Sequence, residues 1–198
     1  MEENNIGWNF WTHKKVDKIT SPYSALVTPQ YQVIIDYLRG AIAQPDPNIA
    51  GMGLTSFANS LKIENCITRP GVIASLTDPE YGEISKPYTT HSIPGTIPAA
   101  YYDIGARGLS YSDSDYWNDG DGGYNDGWVF RNDGVDVEGS DDDPNIPYTV
   151  GWTEAGEWLG YTIEDVSPGT YEVSFSISAP DAGGIFFAQL SGQNLGVI

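Results

Sequence analysis

Gly169-Thr170-Tyr171-Glu172-Val173-Ser174-Phe175-Ser176-Ile177-Ser178 is the stretch whose reading decides the fold class. Tyr171, Val173, Phe175 and Ile177 alternate with Glu172, Ser174, Ser176 and Ser178. Successive side chains of a strand point to opposite faces, so this period of two predicts a half-buried antiparallel strand. Leu159, Tyr161 and Ile163 repeat the pattern one strand earlier, and Ser167-Pro168-Gly169 supplies the turn between them. Residues 185–190 read as a third strand. Together they predict a mainly β architecture, a β-sandwich or jelly roll.

Toward the N-terminus the material changes. Thr28 is a candidate N-cap with Pro29 at the first helical position, and Tyr31, Ile34, Ile35 and Leu38 follow at helical spacing up to Gly40. A second helix is expected over residues 54–63, with Phe57, Ala58 and Leu61 on one face, and a third over residues 70–76. The aromatic run Gly7-Trp8-Asn9-Phe10-Trp11-Thr12 reads as a buried strand. Residues 79–92 are polar and aperiodic, punctuated by Pro79 and Pro87, and read as a linker between a first part, residues 1–78, and a second, residues 93–198.

Composition excludes several function classes. Lys and Arg number 9 against 27 Asp and Glu, a formal charge of −18, which repels phosphate backbones and anionic membrane surfaces alike. No apolar run approaches the ~20 residues of a membrane span. The segment after Met1 has neither the basic nor the apolar region of a signal peptide. Cys66 is the sole cysteine, so no internal disulfide forms. The chain is rich in rings, with 6 Trp and 13 Tyr, and its 23 Gly and 13 Pro fit a fold of strands and turns with aromatic surfaces.

The second part carries a resemblance. Ile93-Pro94-Gly95-Thr96-Ile97-Pro98-Ala99-Ala100-Tyr101-Tyr102-Asp103 opens it. Arg131-Asn132-Asp133-Gly134-Val135-Asp136 and then Val150-Gly151-Trp152-Thr153-Glu154-Ala155-Gly156-Glu157-Trp158-Leu159-Gly160-Tyr161-Thr162 follow, with Gly169-Thr170-Tyr171-Glu172-Val173-Ser174-Phe175 beyond. This resembles family 6 carbohydrate-binding modules, β-jelly rolls found beside glycanases, over residues 93–198. The family runs further; its later Gly-Gly-Trp segment and terminal ligand-binding Asn have no counterpart before Ile198, so a truncated module is expected. In the first part, Ile6-Gly7-Trp8-Asn9-Phe10-Trp11-Thr12-His13-Lys14-Lys15 and Ser21-Pro22-Tyr23-Ser24 are similar to the eighth strand and following loop of family 5 glycoside hydrolases. That resemblance implies the last unit of a TIM barrel, a β/α fragment without the two catalytic glutamates, since neither Glu2 nor Glu3 matches their motifs.

The candidate site residues follow. An indole can take the apolar C–H face of a pyranose, gaining area burial and dispersion. Trp152 reads either as such a platform or as a core tryptophan at a strand start; the resemblance implies one wall of the sugar cleft. Trp158 and Tyr161, inside the strand, read as packing. Glu154, two residues beyond Trp152, would share its side on an extended backbone and accept sugar hydroxyls, or else is a solvated loop acid. Tyr111, Asp113 and Trp117 are placed in the same cleft. The acid-rich stretch around them fails the EF-hand spacing. A looser structural calcium stays open, although Ala100 stands where the family carries a strand acid. Trp11 resembles the tryptophan that floors the barrel's cleavage subsite, with Lys14 reaching toward substrate; without seven other strands Trp11 is instead expected as an exposed ring. No zinc spacing, phosphate loop or nucleophile elbow occurs.

The sequence thus supports polysaccharide or oligosaccharide binding by a monomeric module. The resemblance implies a secreted parent glycoside hydrolase that the module targets to plant or algal polysaccharide. O-glycosyl hydrolysis, which needs two carboxylates flanking the bond, is expected only of the intact parent.

Overall fold

The computed structural model describes residues 7, 9–114, 130–131, 133–179 and 184–197. The chain forms small β-sheets with few helices, in two compact units, Met1–Ser167 and Pro168–Ile198. The expected linker, residues 79–92, runs inside the first unit.

The first unit begins with strand β1 (Lys14–Val16), parallel to β2 (Tyr23–Ala25), which pairs antiparallel with β3 (Ile67–Thr68). Among the described residues of the strand expected at 7–12 none lies in a ladder, and Trp8 lies outside the described residues. Pairing starts only where Tyr23 N–H donates to His13 O at 3.1 Å, and Phe10 and Trp11 stand exposed before it. Helix α1 (Pro29–Leu38) is as its caps predict: Thr28 Oγ1 accepts the Tyr31 N–H, Pro29 opens the first turn, and Gly40 at φ +75° leaves the helix. Helix α2 (Pro47–Ser60) begins seven residues earlier than expected, because Asp46 caps Asn48 N–H at 2.8 Å and Pro47 starts the turn. Tyr31 and Phe57 stack at 4.2 Å between these helices. Helix α3 (Pro70–Thr77) follows β3.

Residues 79–92 are tied to the rest by backbone. Lys86 and Ile104 exchange two hydrogen bonds at 2.9 and 2.7 Å, and β4 (His91–Ile93) pairs parallel with β9 (Ile163–Val166). Partners so distant in sequence leave no trace in local composition. Residues Ala99–Tyr101 form a short 3₁₀ turn. Strand β5 (Tyr111–Ser112) pairs antiparallel with β8 (Trp158–Leu159), and β6 (Val137–Asp143) with β7 (Ile146–Val150).

The core of this unit joins Ala100, Tyr102, Tyr111, Val135 and Val137, with Phe130, Tyr148, Leu159 and Tyr161 packed on it. It also holds a buried cation. The Arg131 guanidinium lies 3.6 Å over the Tyr102 ring, pairs with Asp133 at 2.7 Å and donates to the Tyr102 and Asp103 carbonyls. Several hydrogen bonds and a carboxylate thus compensate a charge that would otherwise be costly to bury. Asp103 accepts from Thr162 N–H, Thr162 Oγ1 and Ser85 Oγ, locking residue 85 onto the later strands.

In the second unit, residues 171–177 lie in no ladder among the described residues, and Tyr171, Val173, Phe175 and Ile177 are all exposed. The strand expected over residues 185–190 is β10 (Phe187–Leu190), which forms a hairpin with β11 (Gln193–Val197). Ser191 and Gly192, at φ +49° and +79°, make its two-residue turn, the left-handed pair whose twist matches the flanking strands. No helix among the described residues is long and apolar enough to cross a membrane.

Candidate functional site

The site is built on the β5–β8 pair and the loop that enters β8. Tyr111 faces Leu159 and Ser112 faces Trp158. Because sides alternate along a strand, Tyr111 and Leu159 turn inward, and Ser112 and Trp158 turn outward. Tyr111 is 4% exposed and its hydroxyl donates to Asp133 O at 2.6 Å. Burial and the Asp133 charge push its phenol well above the ordinary range. Asp113 is buried as well. The two residues expected to line the cleft from this segment therefore lie on the core side. Ser112 and Ser114 occupy the outer side, one residue out of step with the expectation. Trp117 lies outside the described residues.

The loop is braced through Ser114. Glu157 Oε1 accepts the Ser114 N–H at 2.9 Å, and Glu157 Oε2 accepts the Glu154 N–H at 2.7 Å. These bonds close the turn from Glu154 to Glu157, with Gly156 at φ +98° where a Cβ would be strained. The Ser114 hydroxyl sits 2.9 Å from both Glu154 Oε2 and Glu157 Oε1, but its single proton serves one of them at a time. Glu157 already holds two backbone N–H groups. Glu154 is exposed and retains acceptor capacity for a ligand hydroxyl.

Trp152 opens this loop with half of its surface, 52%, exposed and a backbone φ of +45°. It is not a core tryptophan. A bulky residue at positive φ is an outlier, and such conformations cluster at functional sites. The extended backbone that would set Trp152 and Glu154 on one side is not adopted. Trp158, expected to pack, is 43% exposed on the outer face of β8, whereas Tyr161 is inward with its hydroxyl on Ala99 O. The loop and strand thus offer two exposed indoles and one exposed carboxylate with acceptor capacity left. Glu157 and Trp158 were missed by sequence reasoning. For Trp158 the signal was available, since Leu159 as the inward residue assigns its neighbour outward.

Trp11 is 85% exposed, and Lys14 Nζ is engaged by Leu61 O at 2.5 Å. Among the described residues no three acidic, histidine or cysteine side chains converge as a metal site. Ala100 is buried in the core, and residues 115–122 of the acid-rich stretch read as a looser calcium site lie outside the described residues. Comparison of the chain with family models, curated proteins and solved structures finds no match.

Proposed function

We propose that the chain binds neutral polysaccharide through the Trp152 loop, as the carbohydrate-binding jelly roll of a secreted glycoside hydrolase. The observation that carries this reading is Trp152 itself, an exposed indole held at positive φ on a loop that Glu157 and Ser114 brace. A sugar's C–H face stacks on the indole, and Glu154 accepts hydroxyl hydrogens at its edge. Burying one ring face is worth about 1–3 kcal/mol by area, whereas hydroxyls that exchange water for protein partners add little net. A ligand without charge is compatible with a chain at −18. Trp158, also exposed, extends the aromatic surface along β8.

The reading of residues 1–78 as the last β/α unit of a TIM barrel is supported by apolar exposure on its helices, at Leu38, Met52 and Leu54. In that reading hydrolysis belongs to the parent enzyme, and this chain, a monomer, tethers it to substrate. Titration calorimetry with cello-, xylo- and agaro-oligosaccharides tests the binding function. Heat of binding that disappears in Trp152→Ala supports it, and a silent titration with all three series contradicts it.

A further inference from the structure

A second feature of the first unit lies away from the Trp152 loop. A cleft of about 290 Å³ is lined by Arg69, Tyr81, Tyr88, Phe130, Arg131 and Asp133 among others. Arg131 and Asp133 neutralise each other there at 2.7 Å. Among the described residues Arg69 has no such partner. Its Nε donates to Ser24 Oγ at 3.2 Å and one Nη to Phe130 O at 3.1 Å, both neutral acceptors. No carboxylate among the described residues pairs with it, and burial lowers its pKa from the ordinary value. A guanidinium has five N–H donors, so most of its fork remains available to a ligand. A half-buried guanidinium that no carboxylate among the described residues pairs with is a local site for an anion, set against the chain's net charge of −18.

We propose that this cleft binds a small monocarboxylate, with the carboxylate on the Arg69 fork and the body of the ligand against the rings of Tyr81, Tyr88 and Phe130. The planar fork matches a carboxylate in two parallel hydrogen bonds. Asp133 in the same wall opposes a doubly charged ligand, which sets a carboxylate above a phosphate. The volume accommodates one six-membered ring, so a sugar acid and an aromatic acid both fit the chemistry.

The test titrates the full chain with D-glucuronate and with benzoate, each beside a neutral counterpart, glucose and benzyl alcohol, and with inorganic phosphate. Binding of at least one carboxylate, with its neutral counterpart about tenfold weaker or silent, is the expected result. Which of the two binds tells a sugar acid from an aromatic acid. Arg69→Gln should lose that binding, Arg69→Lys should keep a weakened form of it, and Trp152→Ala should leave it unchanged. That last arm separates this site from the polysaccharide reading. Arg69→Lys keeps a cation near Ser24 and Phe130, so it reports on the site even where Arg69→Gln melts early. No carboxylate binding by the folded parent, undiminished binding in Arg69→Lys, or tighter binding of phosphate than of either carboxylate would overturn the assignment.

Discussion

Trp152 sits at φ +45°, a conformation that costs a residue with a Cβ on the order of 1–3 kcal/mol, and it buries only half of its surface in return. A site under selection for packing alone would place glycine there. Trp152→Gly is therefore expected to raise the denaturation midpoint, by about 1 kcal/mol in stability, while removing oligosaccharide binding. A fall in stability of several kcal/mol would mean that the indole serves the core. In the proposed sugar site Glu157 acts one step away from the ligand, through the loop it braces. Glu157→Gln keeps one of its two backbone bonds, so it should weaken binding several-fold with little change in melting temperature, and Glu157→Ala should weaken it further. Equal affinities in parent and Glu157→Ala would show that the brace is irrelevant. The sequence sets Trp152 and Glu154 together in a short glycine-bounded loop, and the structure leaves both exposed. The sequence misled at Tyr111 and Asp113. Their chemistry suits a sugar cleft, but strand parity put Ser112 and Ser114 outside in their stead.

Among the elements, α1 was readable to the residue because its stop and start signals are side chains with a local job: Thr28 accepts an N–H, Pro29 needs none, and Gly40 takes a left-handed φ. In α2 the glycines at 51 and 53 interrupted the apolar periodicity and hid its first two turns. Gly53 has a long-range reason to be there. A Cβ built on it would lie 2.6 Å from the Gln30 carbonyl oxygen and 3.1 Å from Ile34 Cδ1, so it sets the close approach of α2 to α1. On helix propensity alone Gly53→Ala would stabilise by about 1 kcal/mol. The backbone contact reverses the sign, and the substitution should destabilise by about 1–3 kcal/mol as overpacking does. Chemical denaturation measures it, and a stabilised variant would contradict the packing described. Strand β1 was displaced from the expected residues 7–12 for a similar reason. The rings of Phe10 and Trp11 advertise burial, but the hydrogen-bonding partner for a strand lies opposite Lys14–Val16.

At the scale of the whole molecule, the first unit is organised around a polar aromatic core that composition does not announce. Tyr102 donates its hydroxyl to the Asp133 carboxylate under the Arg131 guanidinium. Burial, then the Asp133 charge, hold its phenol well above its ordinary value of 10.0. A group whose folded pKa is raised contributes stability that is whole below the unfolded pKa and is lost as pH rises above it. Stability should therefore fall as pH climbs past about 10, and Tyr102→Phe should flatten that alkaline limb while lowering stability at neutral pH. An unchanged alkaline limb would contradict the buried phenol. The mainly β class was legible from alternation, but the long-range ties of residues 79–92 were not, since Lys86–Ile104 and Ser85–Asp103 join positions that share no local pattern. The stretch 171–177 shows the converse: its period of two is perfect, yet it joins no ladder among the described residues. Alternation without a partner strand fixes neither a ladder nor a buried face: residues on both sides of this stretch are exposed. The central claim, that this chain holds sugar on the Trp152 indole, is tested most directly by calorimetric titration of parent and Trp152→Ala with the cello-, xylo- and agaro-oligosaccharide series. Binding in the parent that falls by about ten- to a hundredfold in the variant, with both proteins folded, is the predicted result. Equal affinity in a Trp152→Ala variant that melts like the parent would contradict it.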